Sequence, residues 1–276
     1  MKDPLDQIRD ALRGRYDVER LLGKGGMATV FLGVDRSSNA QVALKVLSLG
    51  VATRIMKERF HRELGVGTKL AHPHIVPIVD GGEIDGLPFL VMPYLSEGSL
   101  HQRLAGARLE IGEALQIGRE IGDALAYAHE LGIIHRDIKP DNVLFSEGRA
   151  LVSDFGVAVA ISASLDDRLT VPGEVLGTPT YMSPEQAIGR YQLDARTDQY
   201  SLACVICEML TGEPPFRPAN PEAIIVRRFT DDAPDMCALR PDVGRSVADA
   251  LRTALEWKPD RRFGSIAEFR DALITD

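Results

Sequence analysis

The texture of this chain changes once, near Tyr94, and that change limits the folds open to it. Before it, Tyr16–Leu22, Ala28–Val34 and Gln41–Leu47 are β-branched or alternating, with Gly23–Gly26 and Ser37-Ser38-Asn39 as turns between them. A helical stretch over about Thr53–Leu70 follows. Ile75–Val79 and Leu87–Met92 then read as a hairpin around Glu83-Ile84-Asp85-Gly86. After Tyr94 the pattern turns helical: Ile111–Leu131 puts Ile111, Leu115, Ile121, Leu125 and Ala128 at helical spacing. Further helices are expected near 194–211, 221–229, 245–256 and 265–273. The regular strand–helix alternation of a doubly wound sheet is missing. The sequence therefore predicts an α+β chain in two unequal lobes. A small antiparallel β-sheet lobe with one main helix spans about 8–92, a joint covers 93–96, and a mostly helical lobe fills about 97–276.

Composition excludes more than it selects. The 276 residues are 45% hydrophobic and 26% charged, ordinary for a chain that buries a core. The net charge, 32 − 40 = −8, argues against nucleic acid or an anionic membrane as the main partner. Met1-Lys2-Asp3-Pro4-Leu5-Asp6 lacks the apolar run of a signal peptide, and no segment approaches the ~18 apolar residues of a membrane span. A cytoplasmic location is expected, alone or as the cytoplasmic part of a membrane-anchored parent. Three cysteines suit a reduced compartment. Cys204 and Cys207 form a C-x-x-C, a spacing also used for zinc or redox chemistry. They lie in the apolar run Ser201–Leu210 with no second pair, and Cys237 is distant, so they read as core thiols.

The chemistry-bearing residues are concentrated in two segments. His135-Arg136-Asp137-Ile138-Lys139-Pro140-Asp141-Asn142 offers a carboxylate with a lysine two residues on and an amide five residues on. Twelve residues after Asn142 comes Asp154-Phe155-Gly156. Phosphoryl transfer needs a carboxylate to orient a hydroxyl and take its proton, oxygen ligands for Mg²⁺, and fixed positive charge around phosphates. These segments supply most of that set. Gly23-Lys24-Gly25-Gly26-Met27-Ala28-Thr29-Val30 lies between two predicted strands, where glycines let the backbone approach phosphate oxygens. A glycine-rich hairpin alone is more often only a turn, and Ala28 fills a position where a third glycine would complete G-x-G-x-x-G. The strand–turn–strand setting opposes a Rossmann fingerprint, and no G-K-[ST] is present for a P-loop. Val42-Ala43-Leu44-Lys45-Val46 places a lysine among apolar strand neighbours.

Together these motifs resemble the protein kinase superfamily, specifically the bacterial Ser/Thr kinases similar to eukaryotic ones, from about Tyr16 to about Leu273. The resemblance implies a bilobal kinase fold and transfer of the ATP γ-phosphate to Ser or Thr hydroxyls of protein substrates, with Mg²⁺, or Mn²⁺ in its place, as cofactor. On that resemblance Asp137 orients the hydroxyl, Lys139 steadies the transferring group, and Asn142 and Asp154 bind the metal. Lys45 contacts the α- and β-phosphates and pairs with a helical glutamate, Glu63 being preferred over Glu58. Leu22 begins the glycine-rich cover. Val30, Ala43 and Leu144 enclose the adenine, and the joint Met92-Pro93-Tyr94-Leu95 offers it the Pro93 carbonyl and the Leu95 N–H. Pro93 stands where relatives often carry an acid, but it keeps its carbonyl. His135 packs beneath Phe155 and transfers no proton.

Gly177–Glu185 resembles the peptide-positioning segment, with Ser183 in place of a more familiar alanine. Thr178 would hydrogen-bond Asp137 and Lys139, Glu185 would be buried against Arg262, and Asp198 would hold the catalytic-loop backbone. The loop from Asp154 to Glu185 contains Thr170, eight residues before Thr178 and just after Asp166-Asp167-Arg168. Thr170 is the favoured site of autophosphorylation, its phosphate binding Arg136, although Asp166 and Asp167 could occupy Arg136 instead. Gly65 and Gly67 in the Glu63 helix each cost about 0.8–1.0 kcal/mol relative to Ala, predicting a loosely held helix. The resemblance also implies a homodimer as one route to activation. Two other functions compete. A pseudokinase module would lack one of Lys45, Asp137, Asn142 or Asp154, and all four are present. A small-molecule phosphotransferase of similar fold would lack the segment that Gly177–Glu185 resembles.

Overall fold

The computed structural model describes residues 4–25, 28–47, 68–84, 86–105, 107–155, 179–189, 193–216 and 227–274. After a short helix, α1 (Pro4–Leu12), come the strands β1 (Tyr16–Lys24), β2 (Ala28–Asp35), β3 (Gln41–Leu47), β4 (Asp80–Ile84) and β5 (Leu87–Pro93). They form one antiparallel sheet in the order β1-β2-β3-β5-β4. Alternation along β3 sets its two faces. Val42, Leu44 and Val46 are at most 4% exposed and pack with Phe31, Phe89 and Val91 in the small-lobe core. Ala43 and Lys45 point to the other face. Val30 lies opposite Lys45, and Met92 opposite Ala43, so these four residues share that second face.

Two features of the small lobe depart from the sequence-based expectation. The first is α1, where no element is predicted. Ile8 and Leu12 bury themselves in the sheet's core, and Arg9 Nε donates to the Val18 carbonyl at 2.9 Å. The second is the hairpin. Ile75–Val79 is not the strand that pairs with β5; Asp80–Ile84 is. Pro77 interrupts the Ile75–Val79 run and has no N–H for a ladder. Ile75 instead makes a single bridge to Val152, and Val76 N–H donates to the Val152 carbonyl at 2.9 Å, tying the sheet lobe to the other half. The helix expected over Thr53–Leu70 lies outside the described residues except for its last three positions.

The large lobe is built on α3 (Ile111–Glu130) and α5 (Arg196–Thr211), with α2 (Leu100–Leu104), α4 (Pro184–Ala187), α6 (Met236–Leu239), α7 (Arg245–Ala254) and α8 (Ile266–Ala272) around them. α3 and α5 approach closely because Gly118 has no side chain: a Cβ there would lie 2.9 Å from Ile206 Cδ1. Cys204 and Cys207 are at most 1% exposed, in line with core thiols. Of the helix predicted near 221–229, only 227–229 lie among the described residues, and they are helical. A two-stranded hairpin, β6 (Val143–Ser146) and β7 (Arg149–Val152), follows the His135–Asn142 segment. Its Val143, Phe145, Ala150 and Val152 are fully buried, while Leu144 alternates to the other side and stays half-buried. The result is the expected α+β, two-lobed arrangement, with the chemistry-bearing segments between the lobes.

Candidate active site

The segment His135–Asn142 carries no helix or strand until a short 3₁₀ turn at Pro140–Asn142, so side chains must hold its backbone. Asp198, at the start of α5 and wholly buried, does much of this. Its Oδ2 accepts from the His135 N–H at 2.8 Å and from His129 Nε2 at 2.8 Å; its Oδ1 accepts from the Arg136 N–H at 2.7 Å. His135 donates through Nε2 to the Ser153 carbonyl at 2.8 Å and accepts the Asp137 N–H at Nδ1 at 3.2 Å. Its ring meets Phe155 edge-on at 4.7 Å, the packing expected from the sequence. Both imidazole nitrogens are thereby committed to backbone groups.

Asp137, Lys139 and Asn142 converge. Lys139 Nζ lies 2.7 Å from Asp137 Oδ2, and Asn142 Nδ2 donates to the same oxygen at 3.0 Å and to the Asp137 carbonyl at 2.8 Å. Asp137 Oδ2 is thus gripped from two sides, which leaves Oδ1 to meet an incoming hydroxyl. Asn142 uses its amide hydrogens on Asp137, so its Oδ1 is the atom available to a cation.

The other lobe contributes Lys45, whose Nζ lies 2.6 Å from Asp154 Oδ2. This contact brings residues from β3 and from beyond β7 to one point. A small cavity lined by Ile75, Ile78, Leu90, Met92 and Phe155 lies behind Asp154 and makes its surroundings apolar. Burial alone would raise the Asp154 pKa. The Lys45 charge and hydrogen bond, helped by His135 and Lys139, more than offset it and hold the carboxyl below its usual range. Asp154 and Arg136 both adopt left-handed backbone, with φ of 68° and 67°, at a cost of roughly 1–2 kcal/mol for an L-residue. Both therefore depend on the surrounding hydrogen bonds to stay in place.

The sheet shows why Ala28 serves at the position where a third glycine would complete G-x-G-x-x-G. The β1–β2 turn is closed by Gly25 N–H donating to the Ala28 carbonyl at 2.9 Å, and Ala28 already sits in the ladder opposite Leu47, with its Cβ buried. No glycine backbone is needed there. Leu22, Thr29 and Val30 are half-buried, and Gly23, Lys24 and Gly25 are exposed. At the joint, Tyr94 N–H donates to the Gln41 carbonyl at 3.2 Å, whereas the Leu95 N–H has no protein partner among the described residues. Glu63, Gly26, Met27, Thr170, Thr178, Gly65 and Gly67 lie outside the described residues, as do the Lys45–Glu63 and Thr178–Asp137 contacts expected of them.

Glu185 and Arg262 meet as expected, at 2.7 and 2.8 Å, both buried. Burial pushes the Glu185 pKa up, but Arg262 holds it below the usual range. Asp198 behaves alike: burial raises it, and the bonds from His129 and the Arg136 N–H bring it lower than an ordinary carboxyl. For Asp154, Glu185 and Asp198 the folded value lies below the unfolded one. Their stabilisation is complete above the ordinary carboxyl range near pH ~4 and is lost as pH falls through the folded values. The thermal midpoint is expected to drop steeply in that acid window. Asp198→Asn should lower the midpoint at neutral pH and flatten the acid limb; parallel limbs in the two proteins would remove Asp198 from this account.

Gln186 is a site residue that sequence reasoning missed. Its Nε2 donates to the Arg136 carbonyl at 2.7 Å, one residue before Asp137. The available signal was Ser183-x-x-Gln186, a helix-capping pattern.

Comparison with known proteins agrees with this geometry. Residues 16–272 match the family described as protein kinase domain. A probable serine/threonine-protein kinase, pknA2 of Bifidobacterium longum, is 38% identical over 86% of this chain and 32% of that protein. The serine/threonine-protein kinase PknB of Mycolicibacterium smegmatis is 37% identical over 95% of this chain and 43% of that protein. The chain thus spans less than half of the length of these curated relatives, 32% of one and 43% of the other. Among solved structures, the Mycobacterium tuberculosis PknI kinase domain is similar with a TM-score of 0.74 at 34% identity, covering 94% of each chain. Rad53 in complex with AMP-PNP gives a TM-score of 0.80 at 24% identity over 98% of this chain and 68% of that one, a likeness of fold alone. The chain belongs to the protein kinase family, and within it to the bacterial Ser/Thr kinases that resemble eukaryotic ones.

Proposed function

We propose that this chain is the catalytic domain of an ATP-dependent Ser/Thr protein kinase, and that Asp137 is its catalytic base. The observation that carries this reading is the convergence of Lys139 and Asn142 on one oxygen of Asp137, close to the Lys45–Asp154 pair. The acceptor hydroxyl attacks the γ-phosphorus, its proton passes to Asp137 Oδ1, the bond between the γ-phosphorus and the bridging oxygen breaks, and ADP leaves. Lys139 neutralises charge on the group in transit, and Lys45 holds the α- and β-phosphates. Val30, Ala43 and Leu144 enclose the adenine, with the Leu95 N–H at its edge. Asn142 Oδ1 and the Asp154 carboxylate are hard oxygen donors, and two such donors plus phosphate oxygens suit Mg²⁺. Mg²⁺, when bound, supplies charge neutralisation on the phosphates; Mn²⁺ would do the same.

Incubation with γ-labelled ATP, Mg²⁺ and casein is expected to label Ser or Thr in casein and in the chain itself, and EDTA to abolish labelling. No transfer would refute the reading. Mass spectrometry of the self-labelled chain is expected to find phosphate on Thr170; a fully active chain with an unmodified loop would remove Thr170 as the switch. The substrates, a homodimer in activation, and a cytoplasmic location, alone or under a membrane-anchored parent, belong to the same proposal. Among the described residues no helix is long and apolar enough to cross a membrane.

A further inference from the structure

We infer that Gln186 is a positioning residue for the catalytic base: it fixes the peptide unit that carries Asp137 and ties it to the acceptor side of the site. The inference rests on the kinase reading above. Gln186 is the third residue of α4, whose N-cap is Ser183. Ser183 Oγ accepts the Gln186 N–H at 3.3 Å, and Gln186 Oε1 accepts the Ser183 N–H at 3.0 Å, a reciprocal cap. That cap needs one side-chain oxygen, and a glutamate would provide it equally well. What a glutamate lacks is the amide nitrogen, and here that nitrogen donates to the Arg136 carbonyl at 2.7 Å.

The Arg136 carbonyl belongs to the same peptide plane as the Asp137 N–H. Gln186 holds the plane at its oxygen, and His135 Nδ1 holds it at its nitrogen, 3.2 Å away. Asp198 pins the preceding Arg136 N–H at 2.7 Å. These bonds keep Arg136 in left-handed backbone, φ 67°. Of the three, only Gln186 adjoins the segment expected to position the acceptor. If the plane rotates, the Asp137 carboxylate swings away from the hydroxyl it must meet. Binding of ATP, which depends on Lys45 and the sheet, is left alone.

The test is Gln186→Glu. It keeps the cap, places a negative charge at a helix N-terminus, and sets a carboxylate against the Arg136 carbonyl. With casein as acceptor, kcat is expected to fall about tenfold or more, with the KM for ATP and the thermal midpoint unchanged. A pH signature separates positioning from simple damage. As pH is lowered from about 8 toward about 5, nearer the ordinary glutamate value of about 4.3, more of the introduced carboxyl is protonated and can donate an O–H to the Arg136 carbonyl, so the ratio of variant to wild-type kcat should rise. Gln186→Ala, which loses both cap and donor, should lower kcat and the midpoint together without that rise. Wild-type kcat in the Gln186→Glu protein would overturn the inference, as would a loss accompanied by a lower midpoint and a pH-independent ratio. A wild-type chain that labels nothing would instead overturn the kinase reading itself.

Discussion

Asp137→Asn is expected to lower phosphoryl transfer by about 10²–10⁴-fold, the usual range for a positioned general base, without disturbing the fold. The substitution removes one property and keeps the others. An asparagine oxygen can still accept from Lys139 Nζ and Asn142 Nδ2, now at 2.7 and 3.0 Å, and the backbone bonds from Asp198, His135 and Gln186 do not involve this side chain. What disappears is the ability to take the hydroxyl's proton, together with the negative charge beside Lys139. Nucleotide affinity should change little, because Lys45, Asp154 and Asn142 remain. Single-turnover transfer to casein and calorimetric binding of a non-hydrolysable ATP analogue would measure the two halves separately. Equal transfer rates for both proteins would remove Asp137 from the mechanism. A parallel loss of nucleotide binding would reassign it to the phosphate-holding set.

The parts of this site that were legible in sequence are those whose geometry is local. Asp137, Lys139 and Asn142 fall within six positions, so one backbone path brings them together, and the bonds among them follow that spacing. The Lys45–Asp154 contact joins residues more than a hundred positions apart. Spacing alone says nothing about it, and the expectation that both serve one nucleotide came from resemblance. Gln186 illustrates the other limit. Its cap is visible as Ser-x-x-Gln, but the bond that matters reaches 50 residues back, to a carbonyl, and every residue type has one. In the fold, the apolar run Ile75–Val79 resembles a strand, and Pro77 within it, which has no N–H for a ladder, is the local sign that it is not one; Asp80–Ile84 pairs with β5 instead. α1 was missed because two apolar anchors, Ile8 and Leu12, among charged neighbours are a thin signal without the sheet they cover.

Arg262→Ala is expected to be the most destabilising single change in the large lobe. Arg262 satisfies all five of its N–H groups. Nε donates to the Glu256 carbonyl at 2.7 Å; Nη1 to Glu185 Oε1 at 2.7 Å and the Arg196 carbonyl at 2.9 Å; Nη2 to Glu185 Oε2 at 2.8 Å and the Trp257 carbonyl at 3.3 Å. Truncation leaves a buried carboxylate without its counter-charge, held by the neutral Thr197 hydroxyl at 3.1 Å, and removes a donor from each of three main-chain carbonyls. Removing one partner of a buried pair costs about 3–5 kcal/mol, which for a chain of this size lowers the thermal midpoint by about 6–20 °C. Lysine would not rescue it, because a point charge with three donors cannot reproduce a planar fork serving one carboxylate and three carbonyls. The pH dependence carries the sign. In wild type the Glu185 pKa is held down by Arg262, so its contribution is present above the unfolded value and is lost as acid protonates it. In the variant, burial without the Arg262 charge pushes that carboxyl up, the Thr197 hydroxyl at 3.1 Å being a neutral donor that offsets only part of it, and protonation relieves the uncompensated charge. The gap between the two midpoints should therefore narrow as pH falls toward about 4. A gap that is constant across pH would mean the loss comes from the three carbonyls and the packing of Arg262 over the Tyr200 ring at 5.0 Å, not from the ion pair.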